Sequence, residues 1–276
     1  MKVILLPIIL MISTFAHAQD VFTTGVFYKL VHQLDSLNER SQNIEYCELL
    51  LNDSTSLFQS INYGKLDSLA QIEYKNGNSV GAPMSAVIEF PTKLHLKINK
   101  TQDEMHHYEK VPASGFYGNY KITESKISPD QWVIQPDTKE INNLPCQKAL
   151  LNFGGRSWTA WFSLDIPISD GPYKFSGLPG LIVALVDSSA SWKFELIGIQ
   201  SETVRRVHID TYSFFKTRAL SNDEFFKMKR FSIDNQFEIE VANGLLKGVE
   251  DDIKEEIKQH FRTNAKNDNN WIELHP

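Results

Sequence analysis

Cysteine is nearly absent: the 276-residue chain carries two, Cys47 and Cys146, and neither sits in a local catalytic signature. Two outcomes stay open for them. One is a Cys47–Cys146 bridge, which persists in an oxidising compartment and closes a loop of about 100 residues for a few kcal/mol in the chain-entropy model. The other is a pair of buried thiols, the common fate of isolated cysteines.

A cluster of lysine and arginine is also missing. The 28 basic and 34 acidic residues leave a formal charge of -6, which argues against nucleic acid as a partner and against docking on anionic lipid by charge alone. Beyond the first residues, no run approaches the roughly 18 apolar residues of a membrane helix, so an integral membrane protein is not expected. There is no solenoid-period repeat and no low-complexity tract. Polar connectors at 76–85 and 111–119 mark no break in composition, which gives one domain over residues 19–276.

Catalytic spacing is the last absence. Neither H-E-x-x-H nor H-x-H occurs, and the one G-x-S-x-G string, at 77–81, follows the helix-like run 60–75 rather than standing in the strand-to-helix turn of a nucleophile elbow. In DEMHHYEK the adjacent His106 and His107 point to opposite sides of a strand, so a metal site is not expected and a solvated face is. His208 and Asp210 could pair on one strand face, but a triad lacks its nucleophile. Gly154-Gly155-Arg156 lies between two strand-like runs rather than between strand and helix, which excludes a P-loop. No cofactor is expected, and the chain reads as non-enzymatic.

What is present begins with MKVILLPIILMISTFAHAQ. One basic residue, an apolar run from Val3 to Ile12 and the pattern Ala16-His17-Ala18 have the build of a secretory signal peptide over residues 1–18. Its removal moves the formal charge to -7 and predicts an exported, periplasmic or secreted chain. Period-two alternation dominates the middle. KLHLKINK sends Leu94, Leu96 and Ile98 to one face and Lys93, His95 and Lys97 to the other, as in a half-buried strand. CQKALLNF and RSWTAWFSLDI flank Gly154-Gly155 as a hairpin, with Trp158, Ala160, Phe162 and Leu164 on one face. LIVALVD and SWKFELIGIQ form a second hairpin, and VFYKLV and NIEYCELLL read as earlier strands. Trp158 and Trp161 are three apart and face opposite sides, so one of them lines a groove, a covering element or a partner surface.

Residues 60–75 read as a short helix ended at Gly77-Asn78. Ser221 with Glu224 forms a capping box for a helix carrying Phe225, Met228 and Phe231. Val249, Ile253, Ile257 and Phe261 mark another at the C-terminal end. The fold class is therefore mainly β within α+β: a single curved antiparallel sheet or half-barrel with a few covering helices, two of them near the C-terminus.

GPYKFSGLPGLIV, residues 171–183, follows the first hairpin. Pro179-Gly180 fits a type II turn that needs positive φ at Gly180, Leu178 packs, and Leu181 opens a buried strand. Tyr173 and Lys174 are left facing solvent, a partner or a pocket. The run CQKA, F-x-G-R, AWF, D-I-P, GPYKF and GLPGLI closely resembles the GLPGLI family of secreted bacterial proteins, with Ser176 where a glycine is common. That resemblance implies export and a mostly β fold and transfers no catalytic residue. It makes Arg156, Trp161, Tyr173, Lys174, Gly177, Leu178, Pro179, Gly180, Leu181 and Ile182 the candidate functional positions. The expected role is binding of a lipidic or apolar ligand, or of an envelope protein partner, through one face of the sheet. A periplasmic hydrolase or a metal carrier is the alternative.

Overall fold

The computed structural model describes residues 20–78, 81–113, 116–202, 204–209 and 217–275. The chain begins with β1 (Asp20–Phe22), β2 (Thr24–Gln33), β3 (Gln42–Leu51) and β4 (Ser56–Ser60), followed by α1 (Ile61–Lys75) and α2 (Met84–Glu89). Next come β5 (Leu96–Lys100), β6 (Glu104–Ala113), β7 (Phe116–Ser125), β8 (Val133–Ile141), β9 (Leu144–Phe153) and β10 (Arg156–Ser163). The remainder is β11 (Leu181–Asp187), β12 (Trp192–Gln200), β13 (Arg205–Val207), β14 (Arg218–Ala219), α3 (Asn222–Asp234), α4 (Gln236–Ala242) and α5 (Asp251–Asn267).

Twelve strands form one open sheet in the order β14-β7-β6-β5-β4-β3-β2-β12-β11-β10-β9-β8, and β1 pairs with β13 in a separate ribbon. All neighbours in the large sheet are antiparallel except β14 on β7. Two meanders, β2 to β7 and β8 to β12, therefore meet at the β2/β12 seam. Phe58 of β4 meets Phe194 of β12 with ring centroids 6.1 Å apart, although β3 and β2 lie between them in the sheet. The buried face is thus the inside of a sheet curled across its strands. One continuous apolar cluster fills it, from Ile98 through Phe58, Tyr28 and Phe194 to Trp158 and Leu151.

Local chemistry explains the connections. Gly154 and Gly155 take φ of 57° and 76°, the paired positive values of a two-residue hairpin turn, as expected. Asn142 and Asn143 do the same at 53° and 59° between β8 and β9. Ser60 caps α1 and Gly77 ends it at φ 72°. The capping box of Ser221 and Glu224 starts α3. No helix among the described residues is long and apolar enough to cross a membrane.

Three expectations change. Leu164 leaves the strand, which ends at Ser163, and is exposed. In α5 no residue is fully buried and Ile253 is exposed, so its apolar face is only partly covered. β5 is dry on both faces because α1 covers the second one: Lys97 is fully buried, with Nζ 2.7 Å from Asp67 Oδ2. Burial would raise the Asp67 carboxyl, but Lys97 and Lys110 outweigh it and hold it below its usual range. Of the two outcomes open for the cysteines, the structure has the second: Cys47 and Cys146 are free, buried thiols. They sit on β3 and β9, five places apart in the strand order.

Candidate functional site

Alternation along β5, β6 and β7 places Lys100, Met105 and Glu124 in one cross-strand row on the inner face. The connection from Ser163 to Leu181 crosses the core and is received by that row. Lys100 Nζ donates to the carbonyls of Gly171 (2.9 Å), Tyr173 (2.9 Å) and Phe175 (3.4 Å) and pairs with Asp170 Oδ1 at 2.5 Å. Burial lowers the pKa of this ammonium, with Asp170 opposing the shift.

Lys174 is fully buried, its Nζ 2.5 Å from Glu124 Oε2 and 2.7 Å from Glu273 Oε1. Burial alone would depress it, but Glu273 and Glu124 prevail and hold its pKa above that of an ordinary lysine. Tyr173 adopts φ 54°, in the left-handed region, and its hydroxyl donates to Glu273 Oε1. Burial, then Glu273, pushes this phenol well above its ordinary pKa. Neither side chain faces solvent.

Most of the rest of the segment is inward too, with Pro179 exposed and Gly177 half-buried. Phe175 packs on Trp158 and Phe153 with centroids at 4.7 and 5.5 Å, and Leu178, Leu181 and Ile182 are buried. The turn expected at Pro179-Gly180 is corrected: the left-handed glycine is Gly177 (φ 93°), and Gly180 is not among the positive-φ residues. Gly180 is small for another reason. A Cβ there would overlap the Ser163 carbonyl oxygen and lie 2.6 Å from its carbon, where the chain returns beside the strand it left.

Arg156 is buried and ion-paired. Its Nη1 binds Asp187 Oδ2 at 2.9 Å, its Nε donates to the Ile272 carbonyl at 3.0 Å, and its Nη2 reaches Asn270 Oδ1 at 2.6 Å. Trp192 Nε1 donates to the Asn270 carbonyl, and the Leu274 amide to the Gly154 carbonyl. The C-terminal tail is thereby strapped over the hairpin, which delivers Glu273 to Lys174. Trp161 faces away from Trp158, half-buried, with the Lys139 ammonium 4.1 Å from its ring centre. The candidate positions thus divide between an internal lock and two residues outside it, Trp161 and the exposed Pro179.

Most of the inner face is filled by these residues. A cleft of about 400 Å³ remains between β5–β6 and the wall formed by α3, α5 and the tail. His107 and Glu109 of β6 project into it, so DEMHHYEK is a buried strand face on one side and not a solvated one. Glu109 Oε1 lies 2.7 Å from Lys229 Nζ, and its Oε2 lies 3.0 Å from His107 Nε2. Lys229 also stacks 4.4 Å from the Trp271 ring centre. Burial would raise the Glu109 carboxyl, yet Lys229 and His107 hold it at about 2. A carboxylate depressed by folding contributes stability above its unfolded pKa and loses it as pH falls toward the folded value; here that is about 3 kcal/mol, roughly half of it gone by pH 3. Glu109→Gln should accordingly be less stable than wild type at pH 7 and show a flatter loss between pH 5 and 3, read by urea denaturation.

His106 points the other way, toward Thr123 Oγ1 at 3.2 Å. No group of three metal-ligating side chains occurs among the described residues. The His208 carbonyl accepts from Lys97 Nζ, and Asp210 lies outside the described residues. Sequence reading missed the roles of Lys100, Glu109, Glu124, Asp170 and Glu273 as buried ion-pair partners. The signal was present for three of them: Lys100, Glu109 and Glu124 are charged residues at alternation positions that face the core.

The chain is similar in fold to PNGF-II, solved in a P21 crystal form (14% identity, TM-score 0.48) and a C2 form (14% identity, TM-score 0.42). Each match covers 75% of this chain and 33% or 32% of the PNGF-II chain, so this chain spans about a third of the length of the structures it matches. Comparison with curated proteins finds no match. A family model described as a protein of unknown function, Porph_ging, matches residues 155–184, the stretch that runs from the Gly-Gly turn through β10 and the crossing segment into β11.

Proposed function

We propose that the chain is an exported envelope protein of the GLPGLI type that binds a neutral, largely apolar small molecule, lipidic in class, in the cleft between β5–β6 and α3. The leader-like residues 1–18 and the hexapeptide at 177–182 support export and the family reading. One observation carries the binding reading: the cleft combines apolar walls with buried charges that already have partners. Leu94, Leu96, Phe225, Phe226 and Trp271 supply the apolar surface, and about 400 Å³ is within the range of small-molecule sites. Glu109 is matched by Lys229 and His107, Glu273 by Lys174 and Tyr173, and Lys110 by Asp67. Burial lowers the pKa of His95 and favours its neutral form. A neutral ligand meets such a wall without leaving a buried charge unpaired.

The hydrolase alternative draws no support from Glu109, whose carboxylate is already paired and, held at about 2, is too weak a base to take a proton near neutral pH. Nile red, a neutral dye, should bind purified wild type with a blue-shifted emission, and organic extraction should release a copurified apolar molecule. Ala265→Trp adds an indole to the cleft wall from α5 and should weaken dye binding about tenfold or more while melting stays close to wild type. Wild type that carries no extractable molecule and takes up no dye would contradict the reading.

A further inference from the structure

A second pocket, of about 330 Å³, shares no lining residue with the cleft and lies where the crossing segment meets the β3–β4 and β5–β6 turns. Ser176 lines it, is 6% exposed, and carries a buried hydroxyl without a hydrogen-bond partner. Buried polar groups in native proteins are nearly all satisfied, so an orphan hydroxyl facing a cavity marks a place for an acceptor or donor from outside. Lys126, half-buried in the same wall, has no ion-pair partner among the described residues. Its field reaches the pocket floor, where it adds to the depression of the Lys100 ammonium.

The carboxylates do not supply what is missing. Asp170 Oδ1 is taken by Lys100 at 2.5 Å and by the Gly171 amide at 2.7 Å, and its Oδ2 by Ser56 Oγ at 2.5 Å. Asp53 stands exposed at the rim, in water. One ammonium and one hydroxyl are left over, both donors, in a polar recess.

We infer that this pocket is a site for a small oxyanion, free or as the end group of a larger solute, held by Lys126 Nζ and Ser176 Oγ. Such a ligand accepts both donors at once, which a chloride ion or a single water does less well. It is independent of the apolar cleft, because no residue is shared.

The test is thermal melting of the purified chain in sodium phosphate, sulfate or acetate against sodium chloride at matched ionic strength. At tens of millimolar, at least one oxyanion should raise the wild-type midpoint by about 2 to 4 °C over chloride. Lys126→Gln and Ser176→Ala should each abolish that increment while melting normally in chloride. Lys126 is half-buried and unpaired, so its variant decides the matter even if Ser176→Ala folds poorly. No oxyanion-specific increment in wild type, or an increment that survives in Lys126→Gln, would overturn the site.

Discussion

Gly180→Ala should destabilise the chain by about 3 kcal/mol or more, at the top of the range for overpacking, or prevent folding altogether. The new Cβ meets backbone, not a side chain that could turn aside: it overlaps the Ser163 carbonyl and sits 3.1 Å from the Leu164 nitrogen. Ser163 is paired with Leu181, the first residue of β11, so moving it breaks the register of β10 on β11. Gly198→Ala is the matched control. It lies in β12 with no heavy atom within 4 Å of the added Cβ, and its effect should stay within about 0.5 kcal/mol. Urea denaturation of both variants separates a steric cost at Gly180 from a general cost of replacing glycine in this sheet.

Lys174→Met should cost about 3 to 5 kcal/mol at pH 7, because it leaves two carboxylates facing one another in a buried site. Glu273 keeps only the Tyr173 hydroxyl, and Glu124 keeps the Asn222 amide at 3.1 Å. Against a total stability of roughly 5 to 15 kcal/mol this is a large fraction. The alkaline limb tells the ionic contribution from simple packing. A lysine whose pKa is raised by folding contributes stability that is fully present below its unfolded pKa and is lost as pH rises through the higher, folded value. Wild type should lose that contribution above about pH 10.4, the ordinary lysine value, and Lys174→Met should lack that component.

Much of this was legible before any coordinates. Alternation identified VFYKLV, NIEYCELLL, KLHLKINK and the strands of the two hairpins, Gly154-Gly155 identified a hairpin, and Ser221 with Glu224 identified the start of α3. β4 and β7 were not read as strands, and the connector expected at 111–119 is instead the end of β6 and the start of β7. The edge strand β8 was passed over because VIQPDTKEI mixes a proline and charges into its run, the composition that protects an open edge. Asn142-Asn143 was the readable sign of its hairpin. α4 is too short to show a period.

The candidate segment was found as a motif but assigned to the wrong physics. Turn chemistry accounted for its glycines locally, whereas Gly180 answers to a backbone seventeen residues upstream and Lys174 to Glu124 and Glu273 on other elements. Tyr173 meets a partner a hundred residues away. Long-range ion pairs leave one trace in a sequence, a charge at a core-facing strand position. Lys100 and Glu124 carry that trace; Glu273, in the irregular tail, does not.

The central claim is that the GPYKFSGLPGLI segment is an internal strap, locked to the C-terminal tail through the Lys174–Glu273 pair. A double-mutant cycle of Lys174→Met and Glu273→Gln, followed by urea denaturation at pH 7, tests it most directly. The account predicts strong non-additivity, with a coupling of about 1 to 3 kcal/mol and a double variant more stable than the two single losses imply. Additive losses, with coupling below about 0.5 kcal/mol, would contradict it.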